Sequence, residues 1–283
     1  MIEPFLLQKI VRQALEEDLA SGDRTGEALF PDPLPSRAVL LAKEPLIVAG
    51  LQAARVVFCE VDAGLGFGPF RQEGQRAGPG TEIAQVRGDA RGILKGERVA
   101  LNFLQHLSGI ATLTARFLEA VSGLPVRIAD TRKTLPGLRR LEKEAVRLGG
   151  GHNHRLHLGE MILIKDNHIA LAGGVGPALR SAMRSAPHTV KIEVEVKNLA
   201  EVEEALSAGA EFLLLDNMGP QNLSEAVSLI RKKAPRTCIE ASGGVTLENV
   251  RQVAETGVDV ISVGALTHSA RAVDISLEVV PLP

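Results

Sequence analysis

The chain has 283 residues and a formal net charge of -2, with 45% hydrophobic and 23% charged residues, a composition typical of a folded globular enzyme. Its pI is about 6.4 and it contains neither Trp nor Tyr, so it lacks the basic and aromatic surface by which most nucleic-acid-binding proteins hold their ligand. No segment has the pattern of a signal peptide or a membrane span, so we expect a cytoplasmic protein with neither a membrane nor a nucleic acid as partner. Cys59 and Cys238 lie far apart in apolar stretches, which predicts two buried thiols rather than a disulfide or a metal pair.

The first hundred residues mix helical and strand patterns without a regular alternation. Apolar residues recur at helical spacing over residues 4–19, and a second helix follows Gly50. Short apolar runs predict strands over residues 38–42, 46–49 and 81–86. We therefore predict a small N-terminal α+β domain over residues 1–101, to which the tail, residues 269–283, returns. One or two long helices are expected over residues 91–121.

From residue 126 onward, short apolar runs alternate with amphipathic helices, which is the pattern of parallel βαβ units. The six predicted strands cover residues 126–129, 161–164, 190–196, 212–215, 238–241 and 258–263. The helices between them cover residues 138–148, 177–184, 199–208, 223–232 and 247–255. Because no Gly-x-Gly-x-x-Gly motif is present, we predict an incomplete or open α/β barrel of parallel strands over residues 102–268 rather than a dinucleotide-binding fold.

Positive charge is concentrated between Asp130 and His168, although the chain as a whole is slightly acidic. A cleft lined by one sign of charge attracts ligands of the opposite sign, so this stretch suggests an anion-binding site. The alternative is a solvated helix, since leucines at helical spacing over residues 138–148 allow the arginines between them to face water. The helix itself fits that alternative, whereas the polar residues on either side of it do not.

Functional side chains of α/β barrels lie where the strands end, because the loops that follow form the open face. All six predicted strands carry or precede polar residues or glycines at that point. These are Asp130-Thr131-Arg132-Lys133, Lys165-Asp166-Asn167-His168, Glu193 with Glu195, Asp216-Asn217, Ser242-Gly243-Gly244 and Gly264-Ala265. Together they predict one site at one end of the barrel. The pattern leaves open whether Glu193 or Lys143 acts directly.

Two groups of these residues suggest particular ligands. The small residues after the last two strands suit a phosphate, which backbone N–H groups can approach closely, although they also suit plain βα turns. Glu195 and Asp216, at the ends of adjacent strands, suit a hydrated Mg2+ or ribose hydroxyls. His152, His154 and His157 do not have a zinc spacing, and with arginine among them they fit an anion pocket better.

A series of short motifs runs in order along nearly the whole chain. They include Glu17-Asp18-Leu19, Gly96-Glu97-Arg98, Asp130-Thr131-Arg132-Lys133, His152-Asn153-His154-Arg155, Lys165-Asp166-Asn167-His168, Glu193-Val194-Glu195, Leu215-Asp216-Asn217, Glu240-Ala241-Ser242-Gly243-Gly244 and Ser262-Val263-Gly264-Ala265. In these motifs the chain resembles the quinolinate phosphoribosyltransferase family. The resemblance implies transfer of the phosphoribosyl group of phosphoribosyl pyrophosphate (PRPP) to quinolinate with decarboxylation. The products would be nicotinate mononucleotide, pyrophosphate and CO2, for NAD biosynthesis.

The resemblance also implies roles for single residues. The residues that would hold quinolinate are Arg98, Arg132, His154, Arg155 and Lys165, with Arg98 entering from the second subunit of a homodimer. Lys133, Glu195 and Asp216 would act in catalysis and surround the phosphoribosyl group and its Mg2+, which the two carboxylates would hold through water. The residues that would bind the 5-phosphate are Ser242, Gly243, Gly244, Gly264 and Ala265. A further association of dimers is left open.

Two alternatives stay open at this point. One is a related transferase, which acts on nicotinate or is a molybdenum-associated paralogue. Nicotinate has a single carboxylate, so the set of five cationic residues favours the diacid. The other is a barrel that binds a sugar phosphate without catalysis, which would lack Lys133, Glu195 or Asp216.

Overall fold

The structure, a computed structural model, describes residues 2–282. In chain order its helices and strands are α1 (Pro4–Leu19), α2 (Arg24–Leu29), β1 (Pro35–Ala42), β2 (Leu46–Ile47), α3 (Leu51–Val61), β3 (Gly66–Pro69), β4 (Arg76–Ala77), β5 (Glu82–Asp89), α4 (Ala90–Ala120), β6 (Arg127–Ala129), α5 (Arg139–Leu148), β7 (Ile162–Ile164), α6 (Asp166–Ala172), α7 (Val175–Ser185), β8 (Ile192–Val196), α8 (Leu199–Ser207), β9 (Phe212–Asp216), α9 (Pro220–Lys233), β10 (Cys238–Ser242), α10 (Val250–Glu255), β11 (Val260–Ser262), α11 (Ala265–His268) and β12 (Ile275–Pro281). Within the described residues, every helix is too short or too polar to pass through a bilayer.

The chain divides into two compact units. The first comprises Met1–Ala115, Leu135–Gly150 and Ser269–Pro283, of which residues 1 and 283 lie outside the described part. The second comprises Arg116–Thr134 and Gly151–His268. This grouping differs from the sequence-based division between residues 101 and 102, because the first part of α4 and all of α5 belong to the first unit.

A four-stranded antiparallel sheet in the order β12-β1-β5-β3 forms the centre of the first unit. Side chains of β1 alternate between buried and half-buried positions, as the pleat of a strand with one covered face requires. The C-terminal strand β12 pairs with β1 from Ser36↔Pro281 to Ala42↔Ile275, so the tail completes this sheet. The long apolar stretch after β5 forms one helix of 31 residues, α4.

The prediction that both cysteines are buried was wrong. Cys59 is exposed and Cys238 is half-buried. Cys59 lies on α3, where the buried face is formed by residues such as Ala54, Val57 and Phe58. A helix of 3.6 residues per turn rotates by about 100° per residue, so the position after Phe58 turns toward solvent despite its apolar neighbours.

A six-stranded parallel sheet in the order β6-β11-β10-β9-β8-β7 forms the second unit. All six predicted strands are present, and the fold prediction of an open α/β barrel is confirmed. Neighbouring strands pair in the order β7, β8, β9, β10, β11 and β6, and the two edge strands, β6 and β7, do not pair with each other. The sheet is therefore a barrel that is open between β6 and β7. Because all strands run in one direction, their carboxyl ends lie at the same end of the sheet.

Alternation along the central strands separates a core face from a polar face. In β8 to β10 the fully buried aliphatic positions include Val194, Leu213, Leu215 and Ile239. The residues between them carry Glu193 and Glu195 on β8, Leu214 and Asp216 on β9, and Glu240 and Ser242 on β10. A strand places alternate side chains on one face, so these polar residues share a face.

Candidate functional site

A pocket of about 420 Å³ lies at the carboxyl ends of the parallel strands in the second unit. Its volume is within the usual range for small-molecule sites. The predicted site residues that line it are Arg132, Lys133, His154, Arg155, Lys165, Glu195, Asp216, Ser242, Gly243 and Gly244. Further lining residues are Thr131, Leu163, Asp166, Leu214, Asn217, Glu240 and Ser262.

Three predicted residues are not among those that line the pocket. Gly264 lies beside it, since a Cβ on this residue would come 3.1 Å from Cδ of Lys133. Ala265 follows and begins α11. Arg98 is exposed on α4 and is not among the residues that line this pocket.

Asp130, at the end of β6, anchors the segment that carries His154 and Arg155. Its carboxylate is fully buried and accepts hydrogen bonds from the His154 backbone N–H at 2.9 Å and from Asn153 Nδ2 at 2.5 Å. The backbone extends the contact, because Ala129 and His152 form a parallel bridge. The charge of a buried carboxylate is stabilised by such donors, so Asp130 holds the segment in place at the edge of the sheet.

Lys133 lies in a loop whose backbone is held at two points. Its N–H donates to Thr131 Oγ1 at 3.0 Å, and its carbonyl accepts a hydrogen bond from Thr267 Oγ1 at 2.7 Å. The Lys133 side chain itself is exposed to solvent. The loop therefore presents the ammonium group on a fixed backbone.

The two ring nitrogens of His154 have opposite hydrogen-bonding roles. Nδ1 accepts from the backbone N–H of Arg155 at 2.7 Å, so Nδ1 carries no proton. The ring proton is then on Nε2, which lies 3.2 Å from Glu193 Oε2 and 3.7 Å from Glu240 Oε1. His154 donates to Glu193, and Glu240 lies beyond hydrogen-bonding distance.

His154, Glu193 and Glu240 form the one three-residue group within residues 2–282 whose ligand atoms are close enough for a metal, within 4.8 Å of one another. A metal on Nε2 needs the lone pair of that nitrogen and a protonated Nδ1, which would then be a donor. Here Nδ1 is an acceptor. The observed arrangement thus holds a proton between His154 and Glu193 rather than a metal ion.

Glu240 is a buried carboxyl group that lines the pocket, with 6% of the residue exposed. Burial raises the pKa of Glu240 to about 7, the negative charge of Glu193 adds to the increase, and His154 and a hydrogen bond with Ser262 oppose it. Its Oε1 atom is buried and has no hydrogen-bond partner among the described residues. Near neutral pH the group is thus partly protonated.

Arg155 and Lys165 bring positive charge to the same pocket. Burial lowers the pKa of Arg155, and the charge of Arg132 nearby lowers it further. Arg155 Nη1 donates to the Met161 carbonyl at 3.1 Å, while its Nε is buried without a partner in the described chain. Lys165 Nζ pairs with Glu195 Oε2 at 3.4 Å. Burial raises the pKa of Glu195, Lys165 opposes this, and Asp216 adds to it.

The turn after β10 is shaped for close approach of a ligand to the backbone. Gly243 and Gly244 have φ values of 93° and 61°, which other residues rarely adopt. A Cβ on Gly243 would lie 2.3 Å from Oδ1 of Asn217. Asn217 itself has φ 52°, the one positive φ at a non-glycine residue in the described chain. Strained backbone of this kind is concentrated at binding and catalytic sites.

The sequence motifs contain Asp130 and Glu240 but do not indicate a role for either residue. A signal for Glu240 was available, because it is two residues before Ser242 on β10 and therefore faces the same way. The role of Asp130 depends on donors more than twenty residues away in the chain, which no local pattern reveals.

Comparison with known proteins gives matches over the full length of the chain. A family model for the quinolinate phosphoribosyl transferase N-terminal domain matches residues 23–108, and one for the C-terminal domain matches residues 110–278. The chain is 44% identical over 274 residues to the carboxylating nicotinate-nucleotide pyrophosphorylase of Mycobacterium leprae, with 95% of each chain covered. It is 40% identical over 290 residues to the Homo sapiens protein of the same name, with 100% of this chain and 96% of the other covered.

Solved structures agree with these matches. The crystal structure of NadC from Streptococcus pyogenes has a TM-score of 0.94 and 40% identity, with 100% of this chain and 99% of the other covered. Human nicotinic acid phosphoribosyltransferase has a TM-score of 0.61 at 14% identity, with 96% of this chain and 74% of the other covered, and it shares the fold alone.

The raised pKa of Glu240 gives a testable effect on stability. Because its folded-state pKa of about 7 exceeds the usual 4.5, the folded chain binds more protons than the unfolded chain between these values. The contribution of this group to the free energy of unfolding therefore falls as pH rises through that window, by up to about 3 kcal/mol.

Urea unfolding should show that the free energy of unfolding of Glu240→Gln increases relative to that of wild type as pH rises from about 5 to about 8. The exposed control Glu225→Gln should show a constant difference. A pH-independent difference for Glu240→Gln would show that the Glu240 carboxyl is not the titrating group.

Proposed function

The chain belongs to the quinolinate phosphoribosyltransferase family, and we propose that it transfers the phosphoribosyl group of PRPP to quinolinate and releases CO2. The products are nicotinate mononucleotide and pyrophosphate. The observation that carries the proposal is a single pocket that combines half-buried arginines and exposed lysines with a carboxylate pair and a glycine turn. Such a pocket can hold two anionic substrates together.

Quinolinate brings two carboxylates that need cationic partners. We assign them to Arg132, Arg155 and Lys165, with His154 beside them. The buried Nε of Arg155, which has no partner in the described chain, supports this assignment because a carboxylate oxygen would satisfy it. Charge-assisted hydrogen bonds of this kind are worth roughly 1.5–3 kcal/mol each. A single carboxylate, as in nicotinate, would leave part of this set unused.

PRPP brings a phosphate and a pyrophosphate. We assign the 5-phosphate to the turn at Ser242, Gly243 and Gly244, whose positive φ values let backbone N–H groups approach an anion, and to Gly264 and Ala265 beside it. Lys133, on its fixed loop, is assigned to the pyrophosphate. We assign Glu195 and Asp216, which line the same pocket, to the ribose.

Mg2+ is part of the proposal. Burial and the mutual repulsion of Glu195 and Asp216, seen in the raised pKa of Glu195, suit a nearby cation. The pair forms no three-ligand group with other residues of the described chain, and Glu195 also contacts Lys165. These residues fit an ion held mainly by water and by substrate phosphates, which is the usual state of Mg2+. When bound, the ion would offset charge on the departing pyrophosphate.

The reaction needs positioning and charge stabilisation rather than a protein nucleophile. The pyridine nitrogen attacks the anomeric carbon, and the bond to pyrophosphate breaks with its electron pair leaving on pyrophosphate. Glu195 and Asp216 stabilise positive charge on the ribose, and Lys133 stabilises the leaving group. The carbon–carboxylate bond then breaks, the positive ring nitrogen stabilises the electron pair left on carbon, and that carbon takes a proton.

Arg98 enters the proposal through a dimer. It is exposed on α4 and is not among the residues that line the pocket of its own chain. We propose that it completes the quinolinate site of a second copy, so that each site is shared between two subunits. An arginine that acts in this way is expected to be exposed in the isolated chain.

The central test is an assay with PRPP, Mg2+ and either quinolinate or nicotinate, in which pyrophosphate and CO2 are measured. Quinolinate should yield both in equal amounts, and removal of Mg2+ with EDTA should reduce the rate by orders of magnitude. Nicotinate should give little pyrophosphate. Absence of CO2 from quinolinate would overturn the proposed function, and preferred use of nicotinate would support the related transferase instead.

Loss of Arg132 should weaken the use of quinolinate. The change Arg132→Ala removes a cationic partner of the diacid, so kcat/KM for quinolinate should fall by roughly 100-fold or more, in line with the loss of one or two charge-assisted bonds. The exposed control Arg184→Ala should keep the wild-type value. Unchanged kinetics of Arg132→Ala, with a wild-type unfolding curve, would remove Arg132 from the site.

The shared site can be tested by mixing two inactive variants. Arg98→Ala damages the partner's site and Arg132→Ala damages its own, so a mixed dimer keeps one intact site. Equal amounts of the two, unfolded together and refolded, should recover roughly a quarter of wild-type activity, because half of the dimers are mixed and each has one working site of two. No recovery would show that Arg98 does not act across an interface.

A further inference from the structure

The lining of the proposed quinolinate site contains a carboxyl group, Glu240, that takes no part in the proposed reaction. Glu240 lines the pocket together with His154, Arg155 and Lys165. A negative group beside a dianionic substrate would weaken binding, since like charges in a poorly solvated site repel strongly. Either the group is shielded by its neighbours or it loses its charge.

The neighbours of Glu240 shield its charge only in part. Glu193 on β8 and Asp130 at the end of β6 are also carboxylates and raise the pKa of Glu240. His154 directs its one ring proton to Glu193, as its Nδ1 contact requires. Ser262 on β11 forms a hydrogen bond with the carboxyl group, and Leu214 on the adjacent strand β9 is apolar. The Oε1 atom is left buried without a partner in the described chain.

The chemistry of the ligand decides which hydrogen bond Oε1 of Glu240 can form. A carboxylate of the substrate has oxygen acceptors and no donor. A hydrogen bond between two carboxyl groups therefore requires one proton, and the protein must supply it. We propose that Glu240 binds the pyridine dicarboxylate as a neutral carboxylic acid, donating a hydrogen bond from Oε1 to a substrate carboxylate and taking up a proton from solvent as the ligand enters.

This inference rests on the proposed function and adds a binding residue with a pH signature. Glu240 is partly protonated near pH 7 in the unbound chain, because its pKa is raised to about 7. The dianion favours the protonated form, so binding shifts the group toward full protonation. Affinity is then highest below the pKa of the unbound state and falls as pH rises above it. Both substrate carboxylates are ionised throughout this range, so they add no pH dependence.

The test uses Glu240→Gln, whose amide keeps a donor at the same place and cannot titrate. Calorimetry of quinolinate binding in two non-phosphate buffers of different ionisation enthalpy measures protons taken up. Wild type at pH 7 should take up roughly half a proton per site, and its affinity should fall about fivefold from pH 7 to pH 8. Glu240→Gln should take up none and should bind equally well at both pH values. The control Glu225→Gln should behave as wild type.

A second readout comes from turnover. At saturating PRPP, kcat/KM for quinolinate should fall over the same pH range in wild type relative to Glu240→Gln. The inference would be overturned if Glu240→Gln took up protons on binding or showed the same pH profile as wild type. It would also be overturned if wild type took up no proton and its kcat/KM relative to Glu240→Gln did not change with pH. If wild type also releases no CO2 from quinolinate, the proposed function fails as well. If wild type releases CO2 but its pH dependence is the same with and without the Glu240 carboxyl, this inference is rejected and the proposed function stands.

Discussion

The arrangement of the site depends on the hydrogen bonds that one buried carboxylate, Asp130, makes with the segment Asn153–His154. The sheet is open between β6 and β7, so the edge of β6 is available to this segment. Asp130 accepts from the Asn153 side chain and the His154 backbone, and the bridge from Ala129 to His152 aligns the two stretches. Without these contacts, the imidazole and the guanidinium that follow would lie on an unsupported loop. Two stretches that are more than twenty residues apart in the chain thereby line one pocket.

Positive charge in the unbound pocket is partly balanced by carboxylates of the protein. Lys165 contacts Glu195, the negative charge of Glu193 acts on Arg155, and the guanidinium of Arg155 is only partly satisfied. Half-buried cations without carboxylates nearby would repel one another, as the effect of Arg132 on the pKa of Arg155 shows. The internal carboxylates lower this cost until an anionic ligand arrives. A preorganised site of this kind loses little conformational entropy when it binds.

Much of the architecture could be predicted from the sequence because its causes are local. Runs such as Phe212–Leu215 followed by amphipathic helices specify parallel βαβ units, and polar residues at strand ends specify the open face. The predicted strand-end residues Arg132, Lys165 and Asp216 do line one pocket. The exposure of Cys59 does not follow from its apolar neighbours in the sequence, because its position around helix α3 decides it.

What the sequence could not supply is the state of each group, since that depends on contacts between distant residues. The proton position on His154 follows from the hydrogen bond that the backbone N–H of Arg155 donates to Nδ1. The sequence around His152, His154 and His157 does not reveal this contact. The proton on Nε2 of His154 is donated to Glu193, so Oε1 of Glu240 has no donor. The burial of Glu240 then favours its neutral, protonated form. A carboxyl group that would oppose an anionic ligand when ionised becomes a hydrogen-bond donor when protonated. Whether such a residue helps or hinders binding is therefore set by its neighbours rather than by its formal charge.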